Sequence, residues 1–304
     1  MYTALAPLIG AVITVMNDLN SRSSELAGIL LATVVIHVVG LLVVSAVLLV
    51  RREDTSRGRL PIPYYLGGFV GVGTVFSSMY AFSSLGASLA VALGLLGQTL
   101  FSVAVDATGF MGRTRYPLSA RSFPGIVLAV AGVAVMVQDW RSDAPAMIVG
   151  LASGVLPGLT FIFNSELGRK KGIFHGTRIN YIVGLSTILL LVAATRPSLD
   201  TVVKAAEAVR AAGPAAPFLV LGGGVTGVIV VSSINFVFPR IPAFSATLLM
   251  FAGQAMTGVT IDAIATGSFD VRRVAGTLVL LVGLAVNGWL ARRREPSLAE
   301  RRRG

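Results

Sequence analysis

The sequence predicts an all-α polytopic membrane protein, with ten transmembrane helices arranged as two inverted five-helix repeats. Three observations carry this reading. Of the 304 residues 54% are hydrophobic and 13% charged, with a mean hydropathy of +0.81, so there is far more apolar surface than one soluble core would bury. Apolar runs follow one another, each near the roughly 20 residues that a helix needs to cross hydrocarbon. A Gly-Gln element with an Asp eight positions on is written twice, at Gly97-Gln98 with Asp106 and at Gly253-Gln254 with Asp262.

The runs lie at roughly 3–20, 26–50, 63–83, 85–108, 121–139, 145–166, 174–194, 215–237, 241–264 and 273–291. They lack the alternation of a barrel strand and are about twice too long for one, so helices alone can satisfy their backbone in lipid. The first run has no basic region before it and no small-residue cleavage site, so it reads as a retained span rather than a signal peptide. No cysteine is present, which excludes disulfides and thiolate metal sites.

Taken in order, the first run contains Pro7, which can bend it. It ends in Asn17, Asp18 and Asn20, which read as helix-end caps in preference to the mouth of a pathway. The second carries His37 at its midpoint, flanked by Val35, Ile36, Val38 and Val39. The third opens with Gly67-Gly68 and Gly71, a spacing that lets helix backbones approach closely. On the fourth, Gly94, Gln98, Ser102 and Asp106 follow at i+4 and form one stripe of small and polar groups.

The fifth holds Arg121, Gly125 and Gly132, and the sixth holds Pro157 and ends in Asn164-Ser165-Glu166, again read as a helix-end cap in preference to a pathway mouth. The seventh carries Tyr181. Residues 198–212 pair Asp200 with Lys204, and Lys204 with Glu207, at helical spacing beside Val202, Val203 and Val209. They read either as a short amphipathic helix on the outer surface or as a solvated loop. The eighth run repeats the glycines as Gly223-Gly224 and Gly227. The ninth repeats the stripe as Met250, Gln254, Gly258 and Asp262, and the tenth holds Arg272, Gly276 and Gly283 before the basic tail 293–304.

The net charge of +11 gains its meaning from position rather than from any nucleic-acid partner. If the N-terminus is cytoplasmic, 18 of the 25 Lys and Arg residues fall on cytoplasmic segments and seven on the opposite side. The positive-inside rule therefore places both termini in the cytoplasm.

The duplication runs along the whole chain. Gly10, Asn20-Ser21 and Gly40 recur as Gly154, Asn164-Ser165 and Gly184 at an offset of 144. From Gly67 to Asp106 the offset is 156, and from Arg121 to Gly132 it is 151. The repeats are 1–142 and 143–292. Five spans in each is an odd number, so the second copy enters the membrane in the opposite sense. Inverted copies are the architecture of many secondary transporters, with the substrate near the midplane between them.

The stretch GQTLFSVAVDATGF, followed by Arg113, Pro117-Leu118, Arg121 and Gly125, together with GGFVG, resembles the YdcZ-type branch of the drug/metabolite transporter superfamily. Short members of that branch have five spans and long members are tandem fusions. The resemblance covers nearly the whole chain, once per half. It implies an exporter-like carrier of small molecules driven by an ion gradient. The chain departs from the family in the first span of each half, where the resemblance implies a glutamine and Met16 and Thr160 stand instead.

Gln98 and Gln254 are the first substrate-binding candidates, because a glutamine in an apolar run must satisfy four hydrogen-bonding sites. They bind substrate at the centre or bond neighbouring helices. Asp106 and Asp262, with Arg121 and Arg272 nearby, either close opposite gates or fasten helix ends. His37 is the one titratable group at bilayer depth and the candidate for carrying a proton. Alternatively it is a neutral histidine bonded to a carbonyl or to Gln98. Its repeat partner Tyr181 can bond substrate without titrating near neutrality.

No phosphate loop, HExxH spacing or nucleophile elbow is present, so the expectation is a non-enzyme without cofactor or metal. A secondary-active exporter of a small polar or amphipathic metabolite or drug, coupled to a proton or another ion, fits best. A lipid-linked sugar flippase or a non-transporting membrane receptor is the alternative. The expected partners are a small-molecule substrate, the coupling ion and the bilayer, with the chain acting as a monomer or homodimer.

Overall fold

The structure, a computed structural model, describes residues 2–51, 53, 59–110, 123–137, 143–237 and 243–292. Among these residues the chain is all-helical. The helices are α1 (Tyr2–Val50), α2 (Gly67–Leu85), α3 (Ala87–Thr108), α4 (Phe123–Met136), α5 (Ala144–Lys171), α6 (Ile173–Thr195), α7 (Leu199–Ala211), α8 (Ala216–Val237), α9 (Ala243–Thr266) and α10 (Val271–Arg292). Among the described residues seven segments are long and apolar enough to cross a membrane, and α4 is a shorter apolar helix.

The first of those segments, Ala4–Val50, has 47 residues, which at 1.5 Å each is about 70 Å, more than twice the hydrocarbon thickness. It is two limbs broken at Gly28, whose φ of 75° and ψ of 152° are not helical. Gly172, 144 positions later, separates α5 from α6 with φ 90° and ψ 156°. Only glycine enters that backbone region without strain, so the same corner is built twice from the same residue.

The strongest helix pairings cross between the N- and C-terminal halves: α1 packs on α8 and α9, α5 on α2 and α3, and α4 on α10. They are also reciprocal. A Cβ placed on Gly10 would overlap the Met250 carbonyl and lie 2.9 Å from the Gln254 nitrogen; one on Gly154 would overlap the Gly94 carbonyl and lie 2.7 Å from the Gln98 nitrogen. Each pair is the other displaced by 144 and 156 positions. On α4 and α10, a Cβ at Gly125 would come within 2.6 Å of the Gly283 carbonyl oxygen, and one at Gly132 within 2.6 Å of that of Gly276. Small residues of this kind let helix backbones touch where no hydrophobic drive separates helix from lipid. At the centre α3 is buried almost continuously from Ala87 to Gly97.

Two details differ from the sequence reading, and one open choice is resolved. Asn17, Asn20 and Asn164 do not cap helix ends: α1 stays helical to its break at Gly28, and α5 runs on to Lys171. Asn20 is 2% exposed, so packing against the other half has kept a buried amide inside a continuing helix. Of the two readings of 198–212, the helix is the one formed. In α7 the Ser198 hydroxyl accepts from the Thr201 N–H at 3.2 Å, and Lys204 meets Asp200 at 2.7 Å. The cation beside Asp262 is Arg273, whereas Arg272 is exposed. One residue along a helix turns the side chain by about 100°, which decides which arginine faces α9.

Candidate functional site

α1, α2, α3, α5, α6, α8 and α9 converge on a cavity of about 200 Å³. The described residues of α4 and α10 do not line it; those helices pack on each other at the side. Gln98 and Gln254 both reach this one cavity, as do His37, Tyr181, Asn17, Asn20, Thr160 and Asn180. Among the described residues no lining side chain is an Asp, Glu, Lys or Arg.

The two glutamines are seated by the glycine contacts above, since Gly154 brings α5 against the Gln98 backbone and Gly10 brings α1 against that of Gln254. The Gln254 carbonyl accepts from the Thr14 hydroxyl at 3.1 Å, which ties α9 to α1 at the residue that carries the amide. Gln98 is half-buried and Gln254 is 9% exposed.

His37 is 5% exposed, and its Nδ1 lies 2.8 Å from the Thr33 carbonyl oxygen one turn back. A carbonyl only accepts, so Nδ1 carries the hydrogen. Nε2 lies on the ring edge turned to Gly184, where a Cβ would come 2.5 Å from it. Tyr181 packs on Gly40 in the reciprocal way.

Among the described residues three oxygens of the lining residues are buried with no hydrogen-bond partner: Asn20 Oδ1, Thr160 Oγ1 and Asn180 Oδ1. Asn164 Oδ1 is also unpartnered, and a Cβ at Gly67 would meet both it and Asn180 Oδ1. The reasoning that picked out Gln98, an amide in an apolar run, applies equally to Asn180 in α6 and would have found it.

Two carboxylates fasten helix starts away from the cavity. Asp262 on α9 accepts from the Ala87 N–H at 2.7 Å and the Ser88 N–H at 2.9 Å, and also from the Ser88 hydroxyl and Arg273 Nη1. Glu53, just after α1, accepts from the N–H groups of Ile173, Phe174 and His175 at 2.6, 2.9 and 3.0 Å, with His175 Nδ1 at 3.2 Å. Both place negative charge where a helix N-terminus presents free N–H groups. Each joins one half of the chain to the other. Glu53 was missed because short-range spacing carries no sign of a partner 120 positions away, and Arg273 because spacing along the chain does not show which of two adjacent arginines faces Asp262, 11 positions before it. Asp106 lies in the last turn of α3, its side chain outside the described residues, and Arg121 lies outside them altogether.

A family model described as "Putative inner membrane exporter, YdcZ" matches residues 1–135 and 145–286. A solved crystal structure of another protein is similar over 96% of this chain and 99% of its own, at 17% identity and a TM-score of 0.60, a likeness of fold. No curated protein matches.

Proposed function

The chain belongs to the YdcZ family of inner membrane exporters, and from that premise we propose that it is a secondary-active carrier moving a small polar or amphipathic solute by alternating access at the shared cavity. The observation that carries the reading is the convergence of Gln98 and Gln254, equivalent residues of the two halves, on one cavity with His37 and Tyr181. Reciprocal contacts at fixed offsets support two copies, 1–142 and 143–292, related by a pseudo-twofold axis. With five spans each, the copies are inverted and both termini are cytoplasmic, in keeping with the distribution of Lys and Arg.

In this scheme the glutamines hold the solute through their amides, with Tyr181 as a further hydrogen-bonding partner. His37 carries the proton: Nδ1 is committed to Thr33, and Nε2 is the atom that gains and loses it. Asp262 with Arg273 closes the outer end of the pathway. Asp106 with Arg121 occupies the equivalent place at the cytoplasmic end. Arg272, exposed and turned away, has no part in the closure.

The test is solute counterflow in liposomes, with a solute first found by ligand-dependent thermal shift. Gln98→Ala and Gln254→Ala each remove an amide contact, which is worth roughly 0.5–1.5 kcal/mol and so about a three- to tenfold loss of affinity. Affinity unchanged in both variants would exclude the glutamines from the binding site.

A further inference from the structure

Between Gly184 and Gly223 the offset that separates the two copies grows from 144 to 156, and α7 occupies that stretch. Three residues join it to α6 and four join it to α8, and both neighbours belong to segments long and apolar enough to cross a membrane. Links of that length reach about 10–14 Å when fully extended, and the second contains the 3-10 turn Gly213–Ala215, which shortens it. Both ends of α7 are therefore held at the edge of the hydrocarbon. Its 13 residues, about 20 Å long, lie along that edge rather than out in water.

The helix presents three faces, about 120° apart at about 100° per residue. Ala205, Ala208 and Val209 make the first. They are half-buried, in keeping with the packing of α7 on α1 and α8. Asp200, Lys204 and Glu207 make the second, all of them exposed. Leu199, Val202, Val203 and Ala206 make the third, where Leu199 is 83%, Val202 41% and Val203 52% exposed. Order along the chain groups Val209 with Val202 and Val203, but the rotation of the helix separates it from them and puts Leu199 in its place. With the charged face towards water and the first face on the bundle, the third points down and outward, into the bilayer. Arg210 stands two turns beyond Val203 on the same face and is exposed. Its long stem lets the guanidinium reach lipid phosphates while the stripe stays apolar.

We infer that α7 is an interfacial helix whose partner is the phospholipid surface, with Leu199, Val202 and Val203 entering the acyl layer. A helix of this kind is held by the apolar area it buries and by attraction between its cations and anionic lipid. The contact belongs to a stretch in which the first copy is shorter, so the two copies are fastened to the bilayer differently. It does not depend on what the cavity carries.

Single nitroxide-labelled cysteines at Leu199, Val202, Val203, Glu207 and Ala211 test this in the full chain, purified into nanodiscs that contain anionic phospholipid. All five positions are exposed, so the labels leave the packing face intact. Collision with oxygen, which concentrates among acyl chains, is compared with collision with a water-soluble nickel chelate. Labels at Leu199, Val202 and Val203 should favour oxygen, and those at Glu207 and Ala211 should favour the chelate. Access of the chelate to all five sites would make α7 a solvated surface helix. Exclusion of both reagents from the first three would mean that protein covers them, a second copy of the chain if the spins broaden one another. Either result overturns the inference. The three apolar positions report separately, so a variant that does not fold leaves the others to decide.

Discussion

His37 and Tyr181, 144 positions apart in the sequence, meet edge to face with ring centroids 5.9 Å apart and planes at 70°. Each also packs on a glycine of the other's helix, His37 on Gly184 and Tyr181 on Gly40. One of the pair is an imidazole and the other a phenol, so the proposed scheme gives the equivalent positions different tasks.

The first expectation follows from that division. His37→Gln keeps a hydrogen-bonding side chain in the same space and removes the proposed proton carrier. Folded protein and solute binding should be retained, while accumulation driven by a pH gradient in liposomes should be lost. Exchange between equal solute pools should continue, because exchange does not require the empty carrier to return. Proton-driven accumulation at the unaltered rate would move the coupling role to Asp106 and Asp262 or to the solute.

Glycine contacts make a second expectation. A Cβ at Gly154 overlaps the Gly94 carbonyl, whereas nothing lies within 4 Å of one at Gly71. Gly154→Ala should destabilise the protein by about 1–3 kcal/mol, as overpacking does, and Gly71→Ala should leave the thermal midpoint in detergent unchanged or slightly raised. Equal midpoints for the two variants would show that α3 and α5 are free to separate.

Much of this architecture is legible in the sequence, because crossing hydrocarbon forces a length and an apolarity on each helix that local composition records. The repeat is legible for a related reason: Gly10 and Gly154, or Gly125 and Gly276, cannot be enlarged without pushing helices apart. What lies outside local pattern is the choice of partner. Asn20 and Asn164 resemble helix ends by any short-range rule, yet each lies against a glycine of the other half, Gly223 and Gly67. Arg272 and Arg273 are adjacent in the chain and only the rotation of α10 distinguishes them. Glu53 looks like one more charge in a polar loop until α6 begins beside it.

A third expectation concerns Asp262. Asp262→Asn leaves the Ala87 and Ser88 N–H groups a weaker acceptor and removes the nearer carboxylate from Arg273, whose side chain is 24% exposed and which keeps Asp270 at 3.8 Å. Losing a charge-assisted contact of this kind should lower stability by about 1–3 kcal/mol in thermal melts. Asp200→Asn, which breaks the exposed Asp200–Lys204 pair on α7, should change the midpoint little. Similar effects from the two variants would reduce the Asp262 cluster to a surface contact.

The cysteine-free chain makes topology directly measurable. Single cysteines at Lys170, in the last turn of α5, and at Ala211, the last residue of α7, should behave oppositely towards an impermeant thiol reagent. Intact cells should be labelled at Ala211 and protected at Lys170 until the membrane is opened. Labelling of both from outside contradicts inversion of the second half.

Alternating access is tested most directly at Ser153, which lines the cavity. A lone cysteine there should react with an impermeant thiol reagent in both right-side-out and inside-out vesicles, and a bound solute should slow both reactions. Reaction from one side only, whatever the solute or gradient, would contradict a site that opens in turn to each face of the membrane.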